Sequence, residues 1–181
     1  MTISVLPVFP SLLFIDDVPD YQDILPTVYK LRTEEGIQKS NMGGWHSTMQ
    51  PLPTQLHPHI PFPKFQANCW YNINTNNQGN YSHQHPDNDW SGVLYLKLPP
   101  NPAKIEFEHP DLFSQFRSLN SIQQHHPKLQ QHYNYYKSYP YTPVEGRMLL
   151  FQAALRHRVY LSTTDEERIS LSFNIRIDDD E

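Results

Sequence analysis

Hydrophobic positions in this chain fall into short runs, many alternating every second residue, divided by proline-rich polar stretches. The clearest run is 168–177. There Ile169, Leu171 and Phe173 alternate with Ser170, Ser172 and Asn174, which predicts a strand with one apolar face and one small, polar face. Residues 93–98 predict a strongly apolar strand, ended by Pro99-Pro100. Further strands are expected at 65–73, 104–107, 148–151 and 158–161, and two short ones at 5–9 and 12–15 around a turn at Pro10-Ser11. Helical spacing occurs once, where Ile24, Leu25, Val28 and Leu31 predict a helix over 18–36 with Pro26 near its start.

The stretches between these runs differ in kind. Asn76, Asn77 and Gly79 supply turn chemistry over 74–81, and Glu145-Gly146 predicts a tight turn. Residues 39–64 are polar and rich in proline and histidine. We expect a long ordered loop or lid there, because Trp45 and Phe62 need burial. Residues 111–139 lack periodicity and are rich in Gln, His and Tyr, the pattern of a variable insertion. Many short strands after one helix predict a mainly β fold. It is an antiparallel double-sheet jelly roll (a double-stranded β-helix, cupin-like) with the N-terminal helix packed on it. With 181 residues and no internal break, residues 1–181 are expected to form one domain.

Composition narrows the function classes. The net charge of −5 disfavours non-specific phosphate binding, so nucleic acid is not the expected partner, although Tyr133, Tyr135, Tyr136, Tyr139 and Tyr141 form an aromatic cluster. No apolar run reaches the roughly 20 residues of a spanning helix, so no membrane is expected. Residues 1–15 are apolar but carry Pro7 and Pro10 and no basic leader, and are not expected to be a signal peptide. Cys69 is the only cysteine; no internal disulfide can form, and a reducing cytoplasm is the expected location. A homodimer through an exposed sheet face is one arrangement this architecture allows.

The candidate chemistry lies in Tyr-Ser-His-Gln-His-Pro-Asp at 81–87. Imidazoles at i and i+2 share one face of a strand or its exit, so His83 and His85 can grip one ion. His157, from a distant strand, can complete a three-point grip that leaves coordination positions open. With 10 histidines in the chain, a solvated loop would also produce such a pair. A second register, His85-Pro86-Asp87, offers Asp87 as a carboxylate ligand. Zinc suits imidazole as well, but a structural zinc site wants thiolates that one cysteine cannot supply. The guanidinium of Arg168 can fork onto a carboxylate, with Ser170 on the same side of the strand. The plainer reading pairs Arg168 with Glu166 or Glu167.

Taken as a set, several segments resemble the 2-oxoglutarate/Fe(II) oxygenase superfamily, and more closely a branch found in bacteria and tailed phages. They are Gly-Trp-His-Ser at 44–47, Trp-Tyr-Asn at 70–72, Gly79, His-Gln-His-Pro at 83–86 and Ser-Gly-Val-Leu-Tyr-Leu at 91–96. Thr-Pro-Val-Glu-Gly at 142–146, Leu-Arg-His-Arg-Val at 155–159 and Glu-Arg-Ile-Ser-Leu-Ser-Phe-Asn at 167–174 follow. The resemblance covers most of the chain outside 111–139.

The resemblance implies an Fe(II)- and 2-oxoglutarate-dependent dioxygenase that hydroxylates an unknown primary substrate with O2, releasing succinate and CO2. It implies His83, His85 and His157 as metal ligands, with His85 where the superfamily usually has a carboxylate. It favours this register over Asp87, because the next strand then starts at the superfamily's distance from the second ligand. Asp87 or Asp89 would then orient an imidazole. Arg168 and Ser170 are implied to hold the 2-oxo acid, with Tyr95 and Asn72 reaching the same pocket. Trp45, Ser47 and Trp70 are candidates to wall the substrate side, against core packing for the tryptophans. The rival readings are a non-catalytic or zinc-binding cupin-like module, and a metal-dependent isomerase or hydrolase on the same scaffold.

Overall fold

The computed structural model describes residues 11–110 and 138–178. β1 (Leu13–Asp17) is followed by a 3-10 turn (Tyr21–Ile24) and the helix α1 (Leu25–Leu31). Three two-residue strands come next, β2 (Asn41–Met42), β3 (Trp45–His46) and β4 (Gln50–Pro51), and then a 3-10 segment (Thr54–His59). The main strands are β5 (Phe65–Asn74), β6 (Gly79–His83), β7 (Trp90–Lys97) and β8 (Ile105–Glu108). β9 (Ser138–Tyr141), β10 (Arg147–Gln152), β11 (His157–Val159) and β12 (Arg168–Ile177) complete them.

The strands form two antiparallel sheets. The larger runs β1-β10-β7-β12-β5-β3, with β4 also on β5; the smaller runs β2-β6-β11-β8-β9. This is the mainly β double-stranded β-helix that the alternating pattern predicts, with a short helix on it. β12 shows why the pattern is informative. Ile169, Leu171, Phe173 and Ile175 are fully buried on the outer face of the large sheet, where Val28 of α1 and Leu56 cover them. Each such burial contributes about 1.5–3 kcal/mol. The opposite parity, Arg168, Ser170 and Ser172, faces inward and lines a cavity between the sheets. A second apolar cluster, including Val93, Tyr95, Phe107 and Phe151, also lies between the sheets.

Three elements depart from the sequence pattern for local reasons. The helix is far shorter than 18–36. Pro26 is confined to its first turn, where its missing N–H costs nothing. Beyond Leu31 the chain unwinds so that the Ile37 N–H can bond the His46 carbonyl at 2.9 Å. Residues 39–64 are not a lid. β2 joins the small sheet while β3 and β4 join the large one, so the segment ties the two together. The turn expected over 74–81 closes by Gln78, whose side-chain oxygen accepts the Thr75 N–H at 2.8 Å. β6 then starts at Gly79, where a Cβ would lie 2.7 Å from the Val159 carbonyl, so only glycine lets β6 approach that chain. The strands expected at 5–9 and most of the insertion at 111–139 lie outside the described residues; Ser138 and Tyr139 open β9.

Gly92 of β7 pairs with Phe173 of β12, and a Cβ there would sit 2.1 Å from the Phe173 ring. Gly92→Ala should therefore overpack the outer core and destabilise the protein by about 1–3 kcal/mol in urea unfolding. An unchanged unfolding midpoint would show that the ring does not rest on this backbone.

Candidate metal centre

The site begins with strand register. β11 pairs with both β6 and β8, and His157 stands directly opposite His83. Directly opposed residues of an antiparallel pair point to the same face, so both rings enter the cavity between the sheets. The register shifts between His157 and Val159, an irregularity of the kind that re-aims side chains beside functional sites. His85 lies two residues past the end of β6, where its N–H bonds the Ala153 carbonyl at 3.0 Å and fixes the strand exit.

The three rings converge. Their centroids are 4.5 Å apart for His83 and His157, 4.9 Å for His83 and His85, and 5.2 Å for His85 and His157. The Nε2 atoms of His85 and His157 are 3.4 Å apart, and one nitrogen from each of the three rings lies within 4.8 Å of the others. Two nitrogens bound at right angles to one metal, each about 2.1 Å away, would be about 3 Å apart, so small ring rotations suffice. The Nδ1 of His83 is 2.7 Å from the Tyr81 carbonyl, and that of His157 is 2.9 Å from the Leu155 carbonyl. A carbonyl accepts only, so each Nδ1 carries the hydrogen and each Nε2 keeps its lone pair for a metal.

Electrostatics favour the same state. Burial, and next the His83 ring, push His85 down to about 4; the same two causes push His157 down to about 3, and burial lowers His83. The rings are neutral at pH 7, as ligands must be. Phe151 packs edge-on against His157 at 4.8 Å, and Trp70 lies 5.6 Å from His85.

Arg168 is 2% exposed, with its guanidinium over the Tyr95 ring, 5.3 Å from the centroid. Its Nε donates to the Ala103 carbonyl at 3.3 Å and its Nη1 to the Ser170 hydroxyl at 3.2 Å, while Nη2 has no hydrogen-bond partner among the described residues. The Tyr95 hydroxyl is buried beside Arg168, and burial raises its pKa, so it is a neutral phenol. An unpartnered guanidinium nitrogen is a donor that a carboxylate would satisfy. Glu167 does not pair with Arg168; it binds Arg32, Lys97 and Tyr29 instead.

Of the other expected site residues, Asn72 and Trp70 line the cavity with the histidines, Arg168 and Ser170. The Asn72 amide donates to Ser172 at 3.2 Å. Tyr95 lies beneath Arg168 rather than on the cavity wall. Trp45 and Ser47 do not line the cavity. Trp45 pairs with outward-facing Ile73 and donates to the Glu34 carbonyl at 3.2 Å, and the Ser47 hydroxyl ties β5 by accepting the Tyr71 N–H at 3.0 Å. Asp87, in the left-handed region at φ 69, lies apart from the rings with Asn88, Asp89 and Arg176. Asp89 caps β12 through the Ile177 N–H at 2.8 Å, so neither carboxylate orients an imidazole. Ser40, Asn80 and Ser172 also line the cavity. Ser172 was legible as the next inward residue after Ser170; Ser40 and Asn80 carry no local signal.

Three converging imidazoles that could hold one metal ion thus share the cavity of this jelly roll with a buried guanidinium. Comparison with known families agrees. Residues 68–174 match the family described as "Putative 2OG-Fe(II) oxygenase", more than half of the chain, and the protein belongs to that family. No curated protein matches the sequence. Among solved structures, a Pseudomonas putida prolyl-4-hydroxylase superposes with a TM-score of 0.59 at 12% identity, covering 92% of this chain and 93% of the other. The viral collagen prolyl hydroxylase of Paramecium Bursaria Chlorella virus-1, in complex with 2-oxoglutarate, gives 0.55 at 14%, covering 92% and 96%. HygX from Streptomyces hygroscopicus, with nickel and 2-oxoglutarate bound, gives 0.58 at 10%, covering 91% and 82%. At these identities the likeness is one of fold.

The lowered imidazole values fix a pH dependence for the metal-free protein. Below the ordinary value of 6.5 the unfolded chain binds protons that the folded rings refuse. Stability is therefore full above that value and falls as the pH drops toward about 4 and then about 3, by up to about 1.4 kcal/mol per pH unit per ring. Urea midpoints of metal-free protein should drop between pH 7 and pH 5, and less steeply in His157→Gln. Equal slopes in the two proteins would show that His157 is not held neutral by the fold.

Proposed function

We propose that this protein is an Fe(II)- and 2-oxoglutarate-dependent dioxygenase that hydroxylates a C–H bond of a primary substrate. The observation that carries this reading is the pairing of two features in one cavity: three imidazole nitrogens that converge, and a buried guanidinium with an unsatisfied donor. The donor set suits a mononuclear iron(II) held by His83, His85 and His157, with positions left open. Iron(II) and 2-oxoglutarate, when bound, supply the oxidising chemistry: the 2-oxo acid loses CO2 and becomes succinate as O2 is consumed, one oxygen atom ending in succinate and one in the hydroxylated substrate.

The chain's own residues bind, orient and exclude water. Hydrogen bonds from Nδ1 to backbone carbonyls hold the His83 and His157 rings in the ligating tautomer. Arg168 holds the far carboxylate of the 2-oxo acid, with Ser170 fixing the guanidinium and the Tyr95 ring beneath it. Asn72 and Trp70 wall the same cavity. A buried cation with no acidic partner among the described residues costs on the order of several kcal/mol, which an incoming dicarboxylate offsets. That cation suits a 2-oxo acid co-substrate, and with the family match the oxygenase reading is preferred. β1 near one end of the chain and β12 near the other lie in one sheet, which supports reading residues 1–181 as a single oxygenase domain. Among the described residues no helix is long and apolar enough to cross a membrane.

Anaerobic addition of iron(II) and 2-oxoglutarate should give a weak visible charge-transfer band, and oxygen should then release succinate. Arg168→Met should weaken 2-oxoglutarate binding by about 100-fold, the loss of charge-assisted hydrogen bonds. It should leave metal affinity unchanged and urea stability equal or higher. Unaltered 2-oxoglutarate affinity in that variant would remove the carboxylate role from Arg168.

A further inference from the structure

Ser40 and Asn80 share the cavity with the three histidines but hold neither metal nor co-substrate in the reading above. Both are rigidly placed. The Ser40 carbonyl accepts the Tyr81 N–H at 2.8 Å, which joins the residue before β2 to β6. Next to it, the Asn41 side chain accepts the Lys39 N–H at 2.7 Å and donates to the Gly43 carbonyl at 3.2 Å, fixing the backbone on both sides. The amide of Asn80, a buried residue, donates to the Ser40 hydroxyl oxygen at 3.2 Å. That bond occupies a lone pair of the hydroxyl and leaves its hydrogen free to donate.

The Ser40 hydroxyl oxygen lies 3.5 Å from the Nε2 of His83, too far for a strong bond but beside the atom that faces the metal. Since Nδ1 of His83 carries the hydrogen, Nε2 is the ring's acceptor. A metal on Nε2 would take that lone pair, and the Ser40 hydrogen would then have no acceptor there among the described residues. The nearest acceptor becomes whatever ligand fills the coordination position flanking His83. Among the described residues, no acidic side chain lines the cavity to compete for this hydrogen or to repel an anion.

We propose that Ser40, held by Asn80, is a positioning residue that donates a hydrogen bond to a small anionic or oxygen-donor ligand in the open metal position beside His83. The inference rests on His83, His85 and His157 forming the metal centre. It gives the segment before β2 a role in ordering the ligand sphere, which no motif in the sequence suggests.

Cobalt(II)-loaded full-length protein, titrated with azide and followed by visible absorption, tests this without turnover. Ser40→Ala should bind cobalt as the wild type does but bind azide about tenfold or more weakly, the loss of one hydrogen bond to a charged acceptor. Ser40→Thr, which keeps the hydroxyl, should restore most of the affinity. Asn80→Ala, which loosens the hydroxyl without removing it, should show a smaller loss and gives an independent answer if Ser40→Ala does not fold. Cobalt uptake with wild-type azide affinity in the variants that fold would overturn the role of Ser40 alone. A wild-type protein that takes up no cobalt would overturn the metal centre, and this inference with it.

Discussion

The arrangement depends on one cross-strand pair, His83 of β6 opposite His157 of β11. Because both rings project from the inner face of the small sheet, a register slip of one residue on either strand would turn one ring outward. Three local features hold the register. Gly79 lets β6 approach the chain carrying Val159, the His85 N–H anchors the strand exit on Ala153, and β8 pins β11 from its other side. The carbonyls of Tyr81 and Leu155 then set the tautomers. These acceptors belong to the same strands or their approaches, two residues before each ring, so the backbone that places the imidazole also orients it.

Charge distinguishes this centre. Three neutral imidazoles leave a bound divalent ion with its full charge, whereas a carboxylate ligand would cancel one unit of it. Among the described residues no acidic side chain lines the cavity, and the cation that does, Arg168, is buried and lacks an acidic partner. On the proposed reading, such a cavity is complementary to a dianion. The large sheet provides the means: β12 directs Arg168 and Ser170 inward while its alternate residues anchor the outer core. On that reading, binding and stability draw on opposite faces of one strand.

Much of the fold was legible because it is written in period-two alternation, and β12 keeps its apolar face buried from Ile169 to Ile175. What was not legible depends on long-range pairing. The helix was overextended because helical spacing does not reveal that Ile37 must leave to pair with His46. Trp45 and Ser47 sit on or beside two-residue strands, whose facing is set by partners on β5 rather than by their own neighbours. Sequence spacing alone could not separate His83-x-His85 from His85-x-Asp87. In the fold, Asp87 adopts a left-handed backbone and lies away from the rings. Ser40 and Asn80 meet only through the pairing of β2 with β6, which no local pattern encodes.

A crystal structure of the anaerobic iron(II)–2-oxoglutarate complex bears most directly on the account. It should show one iron bound through the Nε2 atoms of His83, His85 and His157, with the distal carboxylate of the co-substrate against Arg168. An iron held by Asp87 in place of one of these rings, or a 2-oxo acid bound away from Arg168, would contradict it.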